Sequence, residues 1–175
     1  MVLRTLCPCG TCRSRPHGVA RSMNQLASPR VAPLPSWGVA ACAERIVRGH
    51  SDERGAMCFV EGQRDLGFAI ARSYWLFASQ PNQLRGAHAH RALRQLYVAV
   101  AGRLEVVLRD PHQTRRIVLA APNQGLYVAP MTWRHVENIS SDAVLLVLAS
   151  ADFAEDDYLR DFDAYLAVAG AIGAA

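Results

Sequence analysis

From about Ala43 onward the chain is a succession of short apolar runs broken by turn residues. Strand-like runs fall at 56–60, 67–77, 95–101, 103–109, 114–120, 124–129 and 143–149. Pro81-Asn82, Ala101-Gly102, Asp110-Pro111 and Pro122-Asn123 punctuate them, and Pro, Gly, Asn and Asp each suit a turn through a fixed φ or tolerance of left-handed φ. Many short strands at this spacing predict an all-β sandwich or barrel. After Ser150 the pattern changes. The acids Glu155, Asp156 and Asp157 precede an apolar face of Tyr158, Leu159, Phe162 and Leu166. Negative charge in a first turn complements the helix dipole, so a short C-terminal helix is predicted after the strands.

Residues 1–42 follow no period and are rich in Pro, Ser, Arg and Cys. They read as a disordered N-terminal extension, or as upstream sequence with the start near Met23, and an Arg- and Ser-rich leader without acids also fits a transit peptide. Cys7, Cys9 and Cys12 lack a second Cys or His pair at zinc-finger spacing. The remaining cysteines, Cys42 and Cys58, give no disulfide framework, so the reading is a cytoplasmic protein. A chain of 175 residues predicts one domain, 43–170. Its basic residues are all arginine. The net charge of +4 belongs to the extension, which holds five arginines and no acid; the rest holds fourteen arginines and fifteen acids. A near-neutral domain carries no electrostatic footprint for nucleic acid. No apolar stretch reaches the length of a membrane span, so no membrane partner is expected.

The segment Arg85-Gly-Ala-His88-Ala-His90 carries the chemistry. Residues two apart in a strand share a face, so His88 and His90 project together, and a barrel strand would turn both inward. Imidazole holds or releases a proton near neutral pH and also binds metals. His-x-His, then Gln95, then Gly102 resembles the first cupin motif, with Gln95 where that motif usually has Glu. Pro130-Met-Thr-Trp133-Arg-His135 resembles the second, with Thr132 in place of Gly. The fold class that follows is all-β, a cupin-type jelly-roll β-barrel with a short C-terminal helix. Loss of the carboxylate to Gln95 argues for a metal-free site. His135 argues the other way, because His88, His90 and His135 together would supply three imidazoles.

Residues 43–166 resemble the sugar 3,4-ketoisomerases that act on dTDP-4-oxo-6-deoxy-glucose. The resemblance runs through Asp52-Glu-Arg-Gly55, Phe68-Ala-Ile-Ala-Arg72-Ser-Tyr74-Trp-Leu76, Arg85-Gly-Ala-His-Ala-His90, Gly125-Leu-Tyr-Val-Ala-Pro130 and Trp133, Ser141 to Ser150, and Asp157-Tyr-Leu-Arg160. It departs at His135, usually Glu, and at Ala71, usually basic. It implies a homodimer with no metal or other cofactor, a dTDP-linked 4-oxo-6-deoxy sugar as ligand, and His88 and His90 as proton carriers with Tyr74 beside them. Arg54, Arg72 and Arg85 are candidates for a diphosphate or an oxyanion, since guanidinium forks onto phosphate oxygens. Gln95, Tyr127 and Trp133 complete the candidate substrate contacts, although an indole equally fills a core. Rival readings are a metal-dependent cupin enzyme, a nucleotide-sugar 3,5-epimerase, and a sugar-sensing cupin without activity.

Overall fold

The structure, a computed structural model, describes residues 36–80 and 83–173. The extension's Cys7, Cys9, Cys12 and Met23, its expected disorder, and the Pro81-Asn82 turn lie outside the described residues. In chain order the elements are β1 (Ala43–Ile46), β2 (Arg48–Asp52), β3 (Gly55–Phe59), α1 (Gly62–Leu66), β4 (Arg72–Leu76), β5 (Arg85–His90), β6 (Gln95–Ala101), β7 (Leu104–Arg109), β8 (Thr114–Leu119), β9 (Gln124–Val128), β10 (Trp133–Glu137), β11 (Val144–Ala149), β12 (Tyr158–Leu159) and α2 (Phe162–Gly173). They build a two-sheet jelly roll. One five-stranded sheet runs β1-β9-β6-β11-β4 and the other β12-β5-β10-β7-β8, with β2 and β3 as a separate hairpin. Every strand pair is antiparallel.

Alternation within the strands makes the core. Tyr97 and Ala99 of β6, Leu104, Val106 and Leu108 of β7, and Leu145 and Val147 of β11 point between the sheets and are buried together. Successive strand residues face opposite sides, so Leu96 and Val98 face outward, into a cluster with Val47 and Leu148 that Val60 and Leu66 pack against. A third cluster lies under α2, where Tyr165 and Ala169 meet Ala89, Met131, Trp133 and Leu159. The Tyr165 hydroxyl sits 3.1 Å from the carbonyls of both Arg109 and Met131, which ties the helix to the sheet.

Several expectations change. The apolar run 67–77 is a strand only from Arg72, because Gly67, at φ 72°, ends α1 in the left-handed conformation that glycine adopts without strain. The polar strand Arg48–Asp52 had no apolar period to announce it. The packed domain also begins before Ala43: Val39, Ala41 and Cys42 are buried in the main core, and Gly38 N–H donates to the Pro130 carbonyl at 2.9 Å. The C-terminal helix starts at Phe162, not at the acids. Asp161 caps it through Oδ1, which accepts from Ala164 N–H at 2.8 Å, the usual service of an N-cap aspartate. Glu155–Asp157 form a single 3₁₀ turn, and Tyr158–Leu159 pair instead with β5.

Candidate active site

A cleft of about 370 Å³ opens at the edge of the sandwich where β4, β5, β6 and β10 come together under the β12 segment. From β4 it takes Arg72 and Tyr74, from β5 Arg85, Gly86 and His88, and from β6 Tyr97. Arg134 and Val136 of β10 and Tyr158 and Arg160 of the C-terminal segment close it.

Arg85 and His88 are three apart, so strict alternation would put them on opposite faces. The pairing of β5 with β10 slips by one residue: Arg134 lies opposite His88, yet Val136 lies opposite Arg85. That is a β-bulge, which bends a strand and re-aims a side chain. Gly86, at φ 70°, sits inside it. The bulge brings Arg85 onto the same wall as His88, and a residue with a Cβ would be strained there.

The two histidine rings lie 4.9 Å apart, edge to face. His88 forms part of the cleft wall; His90 is 1% exposed and stands directly behind it. The Tyr158 ring packs on both, 4.9 Å from His88 and 4.2 Å from His90. Nε2 of each ring is buried with no protein partner. Burial first, and then the Arg134 charge, hold His88 down to about 3 and His90 down to about 2, so both rings are neutral at neutral pH. Asp157 Oδ2 lies 2.8 Å from His90 Nδ1 and pulls the other way. The two atoms are close, but the ring N–H does not point along the line between them, and Nδ1 makes no aligned hydrogen bond. Burial is the stronger influence here, because the ring is enclosed on every side while the carboxylate is partly exposed.

Behind the wall a buried polar network joins four strands, β4, β5, β6 and β10. Gln95 is fully buried. Its Oε1 accepts from Arg134 Nη2 at 2.6 Å, and its Nε2 donates to the Tyr74 hydroxyl at 2.9 Å. Arg134 is itself 1% exposed and also reaches the His88 carbonyl at 3.3 Å and the Tyr97 hydroxyl at 3.4 Å. An amide accepts on one side and donates on the other, whereas a carboxylate only accepts. Gln95 therefore bridges a cation and a phenol while leaving the phenol O–H free, whereas a carboxylate there would have to accept that O–H. Burial pushes the Tyr74 hydroxyl well above its ordinary value of 10. Tyr74 stays protonated, and with its oxygen accepting from Gln95 its own O–H is available to donate.

Among the described residues no carboxylate pairs with Arg134. Arg72 Nε is also buried without a partner. With Arg85 and Arg160 added, the cleft carries four guanidinium groups, and Arg160 is offset by Glu155, which accepts from its Nε at 2.7 Å. Such a wall suits an anionic, phosphate-bearing ligand.

Of the residues expected from sequence, His88, Tyr74, Arg72 and Arg85 meet on this wall, with His90 and Gln95 immediately behind it. The others do not come to it. Arg54 sits at the tip of the β2–β3 hairpin, its guanidinium 2.6 Å from the Asp52 carboxylate. Tyr127 packs against the main core with its ring 6.5 Å from Phe68. Trp133 fills the cluster under α2, 5.0 Å from the Phe162 ring. His135 shares the outward face of β10 with Trp133, and its Nε2 lies 3.1 Å from Glu137 Oε2. The alternative metal set of His88, His90 and His135 is therefore not brought together. Arg134, Tyr97, Asp157, Tyr158 and Arg160 were missed. Alternation on β10 was the available signal: if Trp133 and His135 face one way, Arg134 and Val136 face the other.

Residues 43–170 match the family model described as FdtA: WxcM-like, C-terminal. Over 112 residues the chain is 38% identical to the TDP-4-oxo-6-deoxy-alpha-D-glucose-3,4-oxoisomerase of Aneurinibacillus thermoaerophilus, covering 64% of this chain and 81% of that protein. A 3,4-ketoisomerase from Helicobacter canadensis superposes with a TM-score of 0.72 at 35% identity, over 74% of this chain and 97% of that one. A mutant of the 3,4-ketoisomerase from Thermoanaerobacterium thermosaccharolyticum, solved in complex with TDP-4-keto-6-deoxyglucose, superposes at 0.73 and 32% identity, over 74% and 94%. On its sequence and on the two-sheet frame that holds the histidine pair, the chain belongs to the FdtA (WxcM-like, C-terminal) family, whose relatives here are sugar 3,4-ketoisomerases.

Proposed function

We propose that this chain is a 3,4-ketoisomerase that moves the keto group of a TDP-linked 4-oxo-6-deoxy-hexose from C4 to C3 through an enediolate. The observation that carries the reading is the pair of neutral imidazoles with unpartnered Nε2 atoms at an arginine-lined cleft. The name of the 38% identical relative supports the reaction, and the ligand of the structural neighbour supports the substrate.

A 4-keto group acidifies the hydrogen on C3. A neutral imidazole takes that proton, the C3–H electron pair becomes the C3=C4 bond, and the carbonyl pair moves onto O4. O4 takes a proton, the O3 hydroxyl gives one up as the C3=O bond forms, and the C3=C4 pair takes a proton at C4. The product is an isomer with a ketone at C3 and a hydroxyl at C4. His88, on the wall, is the ring in contact with the sugar, and His90 exchanges protons behind it. Tyr74 O–H and the Arg134 guanidinium stabilise the oxyanion as charge develops. Arg72, Arg85 and Arg160 hold the diphosphate.

A metal-dependent reaction is the less favoured reading, because its third imidazole, His135, faces away from the pair and toward Glu137. The protein forms a homodimer in the cytoplasm in this proposal. Edge strand β4 exposes Trp75 (60%), and Phe77 just beyond it is also exposed (62%), which supports a partner surface. Among the described residues no helix is long and apolar enough to cross a membrane. The test is incubation with TDP-4-oxo-6-deoxy-glucose in deuterated water, followed by NMR. Deuterium at C4 and a ketone at C3 are expected, and replacing both histidines with Asn abolishes them while leaving a folded protein. A product that keeps its ketone at C4 with C3 or C5 inverted would make the protein an epimerase. Full turnover by the double variant would remove the histidines from the mechanism.

A further inference from the structure

We propose that Asp157 is a positioning residue that fixes the tautomer and orientation of His90, keeping the proton on Nδ1 and the lone pair on Nε2. The consequence for turnover rests on the ketoisomerase reading; the placement of the proton does not.

The carboxylate is held from two sides. Oδ1 accepts from Ala92 N–H at 2.7 Å, and the Asp157 carbonyl accepts from Arg91 N–H at 2.8 Å. Both donors follow directly on the last residue of β5. With one oxygen and its backbone anchored there, Oδ2 is left 2.8 Å from His90 Nδ1. The next two residues extend the attachment, since Tyr158 and Leu159 pair with His90 and Ala89 along the open edge of β5. The Tyr158 ring then lies across the His90 ring at 64°. One three-residue segment thus supplies a carboxylate, an aromatic wall and a strand pairing to a single buried imidazole.

A neutral imidazole bears one N–H, and its position follows whichever nitrogen has an acceptor. A carboxylate can only accept. Oδ2 therefore draws the proton to Nδ1, and a rotation of the ring about its stem aligns the N–H with it. Nε2, which has no protein partner, is left as the basic atom. The groups facing His90 are otherwise cationic or neutral: Arg72 from β4, Arg134 from β10, Arg160 beyond β12, His88 on its own strand, and Tyr158. Asp157 is the one carboxylate within salt-bridge distance of the ring among the described residues. It steadies the imidazolium that forms whenever His90 holds a substrate proton, and the cations around it do the reverse.

The experiment is ¹⁵N–¹H correlation NMR of the ligand-free protein labelled at histidine, with His90 identified by the signals lost in His90→Asn. A protonated Nδ1 and an unprotonated Nε2 are expected. An Nε2–H tautomer in the wild-type protein overturns the proposal with no variant needed. Asp157→Asn is expected to mix the tautomers and lower kcat about 100-fold, in the range of a lost acid–base contribution. KM should change little, and the acid limb of the pH–rate profile should move to lower pH. Asp157→Glu, which keeps an acceptor-only group, should recover part of kcat. An Asp157→Asn protein with wild-type kcat, pH profile and His90 tautomer also overturns it. If the wild-type protein shows the Nδ1–H tautomer but exchanges no deuterium into the sugar, the ketoisomerase reading fails and the positioning role stands.

Discussion

Arg134→Met separates two readings of the buried guanidinium. As a structural group, Arg134 would contribute through its 2.6 Å bond to Gln95 and its longer contacts to the His88 carbonyl and the Tyr97 hydroxyl. Their removal costs about 3 kcal/mol, since one bond to a charged group is worth about 1.5–3 kcal/mol and the contacts beyond 3.2 Å are weak. Against this stands the desolvation of a cation that is 1% exposed and has no carboxylate partner among the described residues. Such a penalty is several kcal/mol, and an apolar side chain of similar volume relieves it. Met is long and adaptable enough to fill the space. The two effects nearly cancel, so the expected melting temperature lies within about 6 °C of wild type, at roughly 4 °C per kcal/mol. Function should move much further. kcat should fall about tenfold to a hundredfold, the equivalent of one charge-assisted bond lost from the oxyanion, while TDP affinity measured by calorimetry changes little. The acid limb of the pH–rate profile should rise, because Arg134 is the largest charge holding both histidines down. A melting temperature lowered by more than about 12 °C with kcat intact would refute the argument. Arg134 would then be a framework residue.

Two more outcomes follow from the same geometry. Stability should fall with acid before the carboxylates titrate: the unfolded histidines take protons near 6.5, while His88 and His90 in the folded protein stay neutral to about 3 and about 2. Folding therefore excludes protons, and stability is lost as pH drops below about 6.5, approaching about 1.4 kcal/mol per pH unit for each ring; denaturant titrations from pH 7 to 5 check this, and a double His→Asn variant with the same slope would contradict it. Tyr165→Phe removes the hydroxyl that bonds Arg109 and Met131 at 3.1 Å and should destabilise by about 1–2 kcal/mol with unchanged turnover, because α2 covers the face of the sheet opposite the cleft; lost turnover at full stability would show that the helix reaches the site.

How far the sequence reaches is clearest strand by strand. The runs 95–101 and 114–120 appear almost residue for residue as β6 and β8, because burial marks the composition of a strand, as a continuous apolar run where both faces are covered, as in β6, and with a two-residue period where only one is, as in β8. His88 and His90 share a side by the same two-residue period. Parity, however, says only which residues go together, not which side is inside. On β10 the sequence offers two sets, Trp133 with His135 and Arg134 with Val136, and both contain an apolar residue. The expectation took the first set for the site. Packing of α2 over Trp133 decided for the second. Arg85 breaks parity altogether, and only the slipped register at Gly86 puts it beside His88.

By itself the sequence determined an all-β chain, the paired histidines, the tyrosine and arginine two apart on β4, and the absence of a carboxylate at Gln95. These are local facts, fixed by the geometry of a single strand. The tertiary structure alone decided that Gln95 joins Tyr74 to Arg134, that His90 stands behind His88, and that Asp157 belongs to a histidine more than sixty residues away along the chain. Each of those depends on register and on which element covers which face. Both are settled by burial of apolar surface across the whole sandwich, which no window of sequence contains.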